Sequence, residues 1–266
     1  MYETVKNCKR VVIKIGTSSL AYSTGRLNLR RVEQIAKIIS DLKNTGKEII
    51  FVTSGATGVG AGVMGMAERP RDIKDKQAAA AVGQCELMNI YSELFRRFGH
   101  NVGQVLLTRD VIEDETKKNN AKNTFEKLLA YGVIPIVNEN DTISTVESEF
   151  GDNDTLSAIV ANLTDAELLI LLTDTKGLYD KNPRDNDDAC LISVVTEITD
   201  RLLSFASGKG SKLGTGGMIT KLEAARIAMK HGIYMIISNG HTPDVLYDIF
   251  DGISVGTLFV PSKQDQ

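Results

Sequence analysis

Two lysines carry the most suggestive chemistry in this 266-residue chain. Lys14 interrupts the apolar run Val11-Val12-Ile13-Lys14-Ile15, and Lys221 stands one turn into a helical segment that opens Gly214-Thr215-Gly216-Gly217-Met218-Ile219-Thr220. Each has an ordinary reading by itself: an edge-strand lysine that snorkels to solvent, and a solvated helix lysine. Three loops built of small residues change the balance: Gly16-Thr17-Ser18-Ser19, Thr53-Ser54-Gly55-Ala56 and Gly214-Thr215-Gly216-Gly217. Backbones without bulky side chains let N–H groups approach an anion closely, and a helix N-terminus adds a favourable dipole. Two ammonium groups with such loops make a clamp for a phosphoryl group.

Carboxylates and amides form the complementary set. Gly151-Asp152-Asn153-Asp154-Thr155 precedes an apolar helical stretch; one N-cap accounts for one Asx residue there, not three. Asn138-Glu139-Asn140-Asp141-Thr142 directly follows the buried run Ile134-Pro135-Ile136-Val137, and Thr173-Asp174 ends another apolar run. Groups of this kind bind a cationic amine, orient lysines or hold a magnesium–nucleotide, although a polar loop and a structural Asp at a strand end remain open readings. Walker A fails, because Gly55-Ala56-Thr57-Gly58-Val59-Gly60 continues with Ala61 where lysine is required. A G-x-G-x-x-G match at Gly60, Gly62 and Gly65 lies too far from the preceding strand for a dinucleotide fingerprint. It reads as chance, or as a glycine-rich helix and loop near the substrate.

The elements that must position these groups alternate along the chain. β-Branched apolar runs at 10–15, 48–53, 102–108, 134–137, 168–173, 233–237 and 255–260 predict strands, several of them apolar on consecutive residues as in a doubly covered parallel sheet. Helical periodicity covers 29–43, 75–98, 117–130, 155–162, 197–205 and 218–230, with Gly46, Gly99, Gly132 and Gly232 placed as C-caps. The alternation predicts a three-layer α/β/α sandwich with a mainly parallel central sheet. No linker or repeat divides the chain, so a single domain is expected, with 175–212 as irregular excursions on its second half.

Composition narrows the function. A net charge of −3 gives no electrostatic case for nucleic acid. Cys8, Cys85 and Cys190 are far apart and His100, His231 and His241 form no H-E-x-x-H, so neither a disulfide framework nor a zinc site is expected. The polar N-terminus lacks a signal-peptide core, and no apolar run approaches the ~18 residues of a membrane span. Cytoplasmic localisation, without membrane association, is the expectation.

Six motifs in order resemble the glutamate 5-kinases of the amino-acid-kinase superfamily. They are Val-Ile-Lys-Ile-Gly-Thr-Ser (12–18), Val-Thr-Ser-Gly-Ala (52–56), Pro-Ile-Val-Asn-Glu-Asn-Asp (135–141), Phe-Gly-Asp-Asn-Asp-Thr-Leu-Ser-Ala (150–158), Leu-Leu-Thr-Asp (171–174) and Gly-Thr-Gly-Gly-Met-Ile-Thr-Lys (214–221). The resemblance spans about residues 9 to 260 and implies the amino-acid-kinase fold, with ATP and Mg2+ as cofactors and L-glutamate as phosphoryl acceptor. It implies that Lys14 and Lys221 contact the transferring group, that Asp154 orients them, and that no protein metal ligand is needed. Ser54, Asn138, Asp141 and Asn153 would bind glutamate; Lys14, Thr173, Asp174, Thr215, Gly216, Gly217, Met218, Ile219, Thr220 and Lys221 would line the ATP site. The part before about residue 165 would hold glutamate, and 166–260 the nucleotide. Proline as feedback inhibitor, a homo-oligomer and hand-over to a glutamyl-phosphate reductase are implied too. Longer members carry a C-terminal PUA domain, for which this chain has no room after its last strand. The rival readings are an N-acetylglutamate kinase and a non-catalytic amino-acid sensor on the same scaffold.

Overall fold

The apolar runs form strands: β1 (Arg10–Ile15), β2 (Glu48–Val52), β3 (Val102–Leu107), β4 (Ile134–Glu139), β5 (Leu168–Thr173), β6 (Val194–Val195), β7 (Tyr234–Asn239) and β8 (Thr257–Phe259). The helices are α1 (Tyr2–Asn7), α2 (Thr17–Leu20), α3 (Leu29–Asn44), α4 (Ala56–Val63), α5 (Ile73–Arg97), α6 (Asp110–Glu113), α7 (Glu115–Ala130), α8 (Asn153–Leu163), α9 (Asp200–Ala206), α10 (Met218–Lys230) and α11 (Val245–Phe250). This computed structural model describes residues 2–22, 26–68, 70–144, 153–183, 185–206 and 217–261.

The strands make one sheet in the order β3-β4-β2-β1-β5-β7-β8-β6, parallel throughout except for the antiparallel pair β7–β8. Side chains alternate across it as the two-residue strand period requires. Val11, Ile13, Phe51, Ile136 and Ile170 face one apolar layer with α3, α5 and α11, while Val12, Val52, Val137 and Leu171 face the other with α7, α8 and α10. The result is the expected three-layer α/β/α sandwich with a mainly parallel sheet. No helix among the described residues is long and apolar enough to cross a membrane.

This alternation decides where the polar side chains at the strand ends go. On β1, Lys14 shares a face with Val12 and so points to the α8–α10 layer. On β4, Asn138 shares a face with Ile134 and Ile136 and points to α5. β1 is flanked by β2 and β5, and Lys14 stands beside Val52 and Leu171, so the edge-strand reading of this lysine does not hold. Because the chain proceeds from β1 to β2 on one side and β5 lies on the other, the carboxyl end of β1 is a switch point, where open α/β sheets bind ligands.

One boundary corrects an expectation, and one open reading is decided. β4 runs to Glu139, so Asn138 and Glu139 are buried strand residues paired with Leu106 and Leu107 of β3, not the start of a polar loop. The glycine-rich stretch after Ser54 is helix α4, in spite of its poor intrinsic propensity. Its reason is packing: a Cβ on Gly60 would lie 1.7 Å from the Ala79 carbonyl oxygen, and one on Gly83 1.8 Å from that of Ala56. Of the glycines of the apparent dinucleotide motif, Gly60 thus serves a backbone-to-backbone contact between α4 and α5, whereas a Cβ on Gly62 or Gly65 would meet nothing within 4 Å. Gly83→Ala is expected to lower stability at or above the upper end of the roughly 1–3 kcal/mol typical of overpacking. A urea midpoint equal to that of the unaltered protein would show that the two helices do not meet there.

Candidate active site

At the carboxyl end of β1 the Asp154 carboxylate sits between two ammonium groups. Lys14 Nζ donates to its Oδ1 at 2.5 Å and Lys221 Nζ to its Oδ2 at 3.0 Å, with Thr220 Oγ1 also donating to Oδ2 at 3.2 Å. The three charged side chains come from β1, α8 and α10, and all are buried, Asp154 completely. Burial by itself would raise the Asp154 pKa, but the charges and hydrogen bonds of Lys14 and Lys221 outweigh it and hold the carboxyl well below the usual carboxylate range. Asp154 therefore remains ionised and both lysines are aimed at one place. Both carboxylate oxygens of Asp154 thus accept hydrogen bonds from the groups around them.

Asn153, the first residue of α8, reaches over the sheet edge in the opposite sense. Its Nδ2 donates to the Thr53 carbonyl at 2.5 Å and to Asn138 Oδ1 at 2.9 Å. Ser54 Oγ donates to the Ile15 carbonyl at 3.2 Å and lies 3.0 Å from Thr17 Oγ1, which ties the loop after β2 to the loop after β1. Gly55 follows at φ 97°, a left-handed conformation that glycine accepts without strain, and α4 begins there. Asp141 lies half-buried in the turn after β4. Ser54, Asn138, Asp141 and Asn153 thus surround the ends of β2 and β4, within reach of the lysine–aspartate cluster through adjacent Asn153 and Asp154.

On the other side of β1, Thr173 ends β5 and its Oγ1 donates to exposed Asp174 at 3.1 Å, while its carbonyl accepts from the Gly240 amide at 2.7 Å. Gly217 caps α10 in an extended conformation, and Met218, Ile219 and Thr220 form its first turn ahead of Lys221. Thr215 and Gly216 lie outside the described residues, as do Gly151 and Asp152.

A polar stripe on α5 completes the arrangement, and motif reading missed it. Gln77 Nε2 donates to the Ser144 carbonyl at 3.2 Å, Gln84 Oε1 accepts from Asn138 Nδ2 at 2.8 Å, and the Tyr91 hydroxyl lies 3.0 Å from Thr53 Oγ1. Burial raises the Tyr91 pKa, so the phenol stays neutral beneath the loop. These residues recur every seven positions, two helical turns, and so share one face. That spacing of polar residues within an alanine-rich helix was the available signal.

Comparisons with known proteins bear on the family and the fold. Residues 9–239 match the model of the amino acid kinase family. The glutamate 5-kinase of Clostridium perfringens (strain 13 / Type A) is 51% identical over 99% of both chains. That of Listeria innocua serovar 6a is 51% identical over 100% of this chain and 98% of its own. Among solved structures, carbamate kinase from Giardia lamblia bound to AMP-PNP superposes with a TM-score of 0.65 at 16% identity, covering 97% of this chain and 100% of that one, which shows a shared fold.

Proposed function

The chain belongs to the amino acid kinase family, and from that premise we propose that it transfers the γ-phosphoryl group of ATP to the side-chain carboxylate of L-glutamate, the first step of proline biosynthesis. The observation that carries this reading is the buried Lys14–Asp154–Lys221 cluster next to the amide-lined ends of β2 and β4. The acceptor carboxylate has an ordinary pKa of about 4.3, so it is already a nucleophile at neutral pH and needs no general base. The obstacle is bringing one anion to another. Positioning and charge stabilisation are what such a transfer requires.

In this reading Lys14 and Lys221 neutralise charge on the transferring group, and Asp154 keeps both ammoniums aimed. Backbone N–H groups at the starts of α4 and α10 add donors at the strand ends. Asn153, with both Nδ2 hydrogens committed, presents Oδ1 to the substrate ammonium, and Asp141 supplies its counter-charge; Ser54 and Asn138 complete the acceptor site. Thr173, Asp174 and 215–221 line the nucleotide, so the part up to about 165 holds glutamate and 166–260 holds ATP. Magnesium bound together with ATP would supply charge withdrawal from the phosphates. The acceptor oxygen forms a new P–O bond as the bond to ADP breaks. The acyl phosphate produced is prone to hydrolysis, which favours prompt use by a glutamyl-phosphate reductase. Inhibition by proline, a homo-oligomeric assembly and a cytoplasmic location belong to the same proposal.

Trapping the product with hydroxylamine tests it. L-glutamate with ATP and Mg2+ should give the hydroxamate and ADP, and N-acetylglutamate far less, because acetylation removes the ammonium that Asp141 and Asn153 are placed to bind. Preferential turnover of N-acetylglutamate would reassign the acceptor, and glutamate binding without ADP release would make the protein a sensor.

A further inference from the structure

The hydrogen bonds around Asn138 run in one direction. The Thr53 carbonyl can only accept, so it draws the Asn153 amide nitrogen toward itself; that nitrogen also donates to Asn138 Oδ1. Asn138 Oδ1 accepts a second bond, from the Glu139 amide at 2.9 Å. Asn138 must then turn its own Nδ2 away from them, to Gln84 Oε1. Gln84 in turn has its oxygen committed, and its Nε2 is fixed as the end of the relay. That nitrogen is buried on a side chain only 7% exposed and has no hydrogen-bond partner among the described residues. A buried donor left unsatisfied costs more than an ordinary hydrogen bond contributes, so a fixed donor without an acceptor marks a place that something else completes.

We infer that Gln84 is a substrate-binding residue whose Nε2 donates to the α-carboxylate of the acceptor amino acid, an inference that rests on the glutamate reading above. Distance along the relay selects the α-carboxylate. The side-chain carboxylate must meet the phosphoryl group at Lys14 and Lys221, whereas Gln84 lies on the opposite face of the sheet, two amide groups beyond Asn153. The far end of an amino acid held there presents an ammonium and a carboxylate, and only the carboxylate accepts from an N–H donor. The residues nearby divide accordingly: Asn153 Oδ1 and Asp141 suit the ammonium, Gln84 Nε2 the carboxylate.

Two substitutions separate this role from mere support of Asn138. In Gln84→Glu the side chain keeps its shape and still accepts from Asn138 Nδ2, but the donor is gone and an oxygen faces the ligand carboxylate. In Gln84→Met both the acceptor and the donor are lost. KM for glutamate should rise about 10-fold or more in both, most in Gln84→Glu, with KM for ATP within about 2-fold of the unaltered protein, as loss of a hydrogen bond to a charged group predicts. If Gln84 only holds Asn138, Gln84→Glu binds glutamate normally and Gln84→Met alone is impaired, which overturns the proposal. Should neither variant fold, a structure of the unaltered protein with L-glutamate decides. A Gln84 Nε2 more than roughly 3.5 Å from every ligand carboxylate oxygen overturns it. Absence of glutamate phosphorylation by the unaltered protein would instead count against the reading of function.

Discussion

Replacing Lys221 with alanine is expected to lower kcat by about 10²-fold or more, and Lys14→Ala to do the same. Both ammoniums are buried and held on one carboxylate, so neither is a mobile surface charge that water could replace. In a site shielded from water, each offers stabilisation that grows as negative charge spreads over the transferring oxygens. Its removal therefore raises the barrier more than it weakens the binding of either substrate. A 100-fold loss corresponds to about 2.7 kcal/mol, a plausible share for one donor. The measurement is steady-state ADP release with glutamate and ATP varied separately, on variants with unchanged far-UV circular dichroism. A lysine whose removal leaves turnover near normal has no part in the transfer.

Asp154→Ala should be more damaging still, because it strikes both stability and turnover. The carboxylate is the shared partner of two buried ammoniums; removing one side of a buried ion pair commonly costs about 3–5 kcal/mol. Its pH dependence has a definite sign. Lys14 and Lys221 depress the folded-state pKa of Asp154 below its ordinary 3.8, against the opposing effect of burial. The unfolded chain thus takes up this proton first, and the stabilisation is fully present above about pH 4 and lost as pH falls further toward the folded-state value. Urea unfolding between pH 7 and pH 3 should show a steeper acid loss for the unaltered protein than for Asp154→Asn, which has no carboxyl to titrate there. Parallel acid limbs for the two would remove Asp154 as the source.

The strands were legible because burial on both faces leaves a strong mark: Arg10–Ile15 and Leu168–Thr173 are read to the residue from their consecutive β-branched and leucine runs. Helix α10 was equally plain. Elements set by tertiary contact were not. For α4 the glycines left chance and a glycine-rich helix both open, until Gly60 is seen against Ala79 and Gly83 against Ala56. The short α11 and β6 offer too few residues for a period to show. The reversed direction of β8 depends on pairing with β7, which sequence does not encode locally. In the site, Lys14 stood out because charge within an apolar run is costly and needs a reason, Asp154 because one N-cap does not account for three adjacent Asx residues, and Lys221 because it follows a glycine loop at a helix start. Gln84 and Tyr91 did not, since a neutral polar residue on a long helix passes for surface until its partners Asn138 and Thr53 are known.

The lysine–aspartate cluster also bears on how the protein comes into being. Its members stand at positions 14, 154 and 221, and β1 reaches its place only between β2 and β5. Contacts so distant in sequence close slowly, after local helices have formed. During synthesis the cluster can close only once Lys221 has been made, when most of the sheet is already available to receive it. A fragment ending before α10 lacks one arm of the cluster, and one beginning after β1 lacks the other. If the cluster carries the transfer as proposed, such partial products and proteolytic pieces would not consume nucleotide.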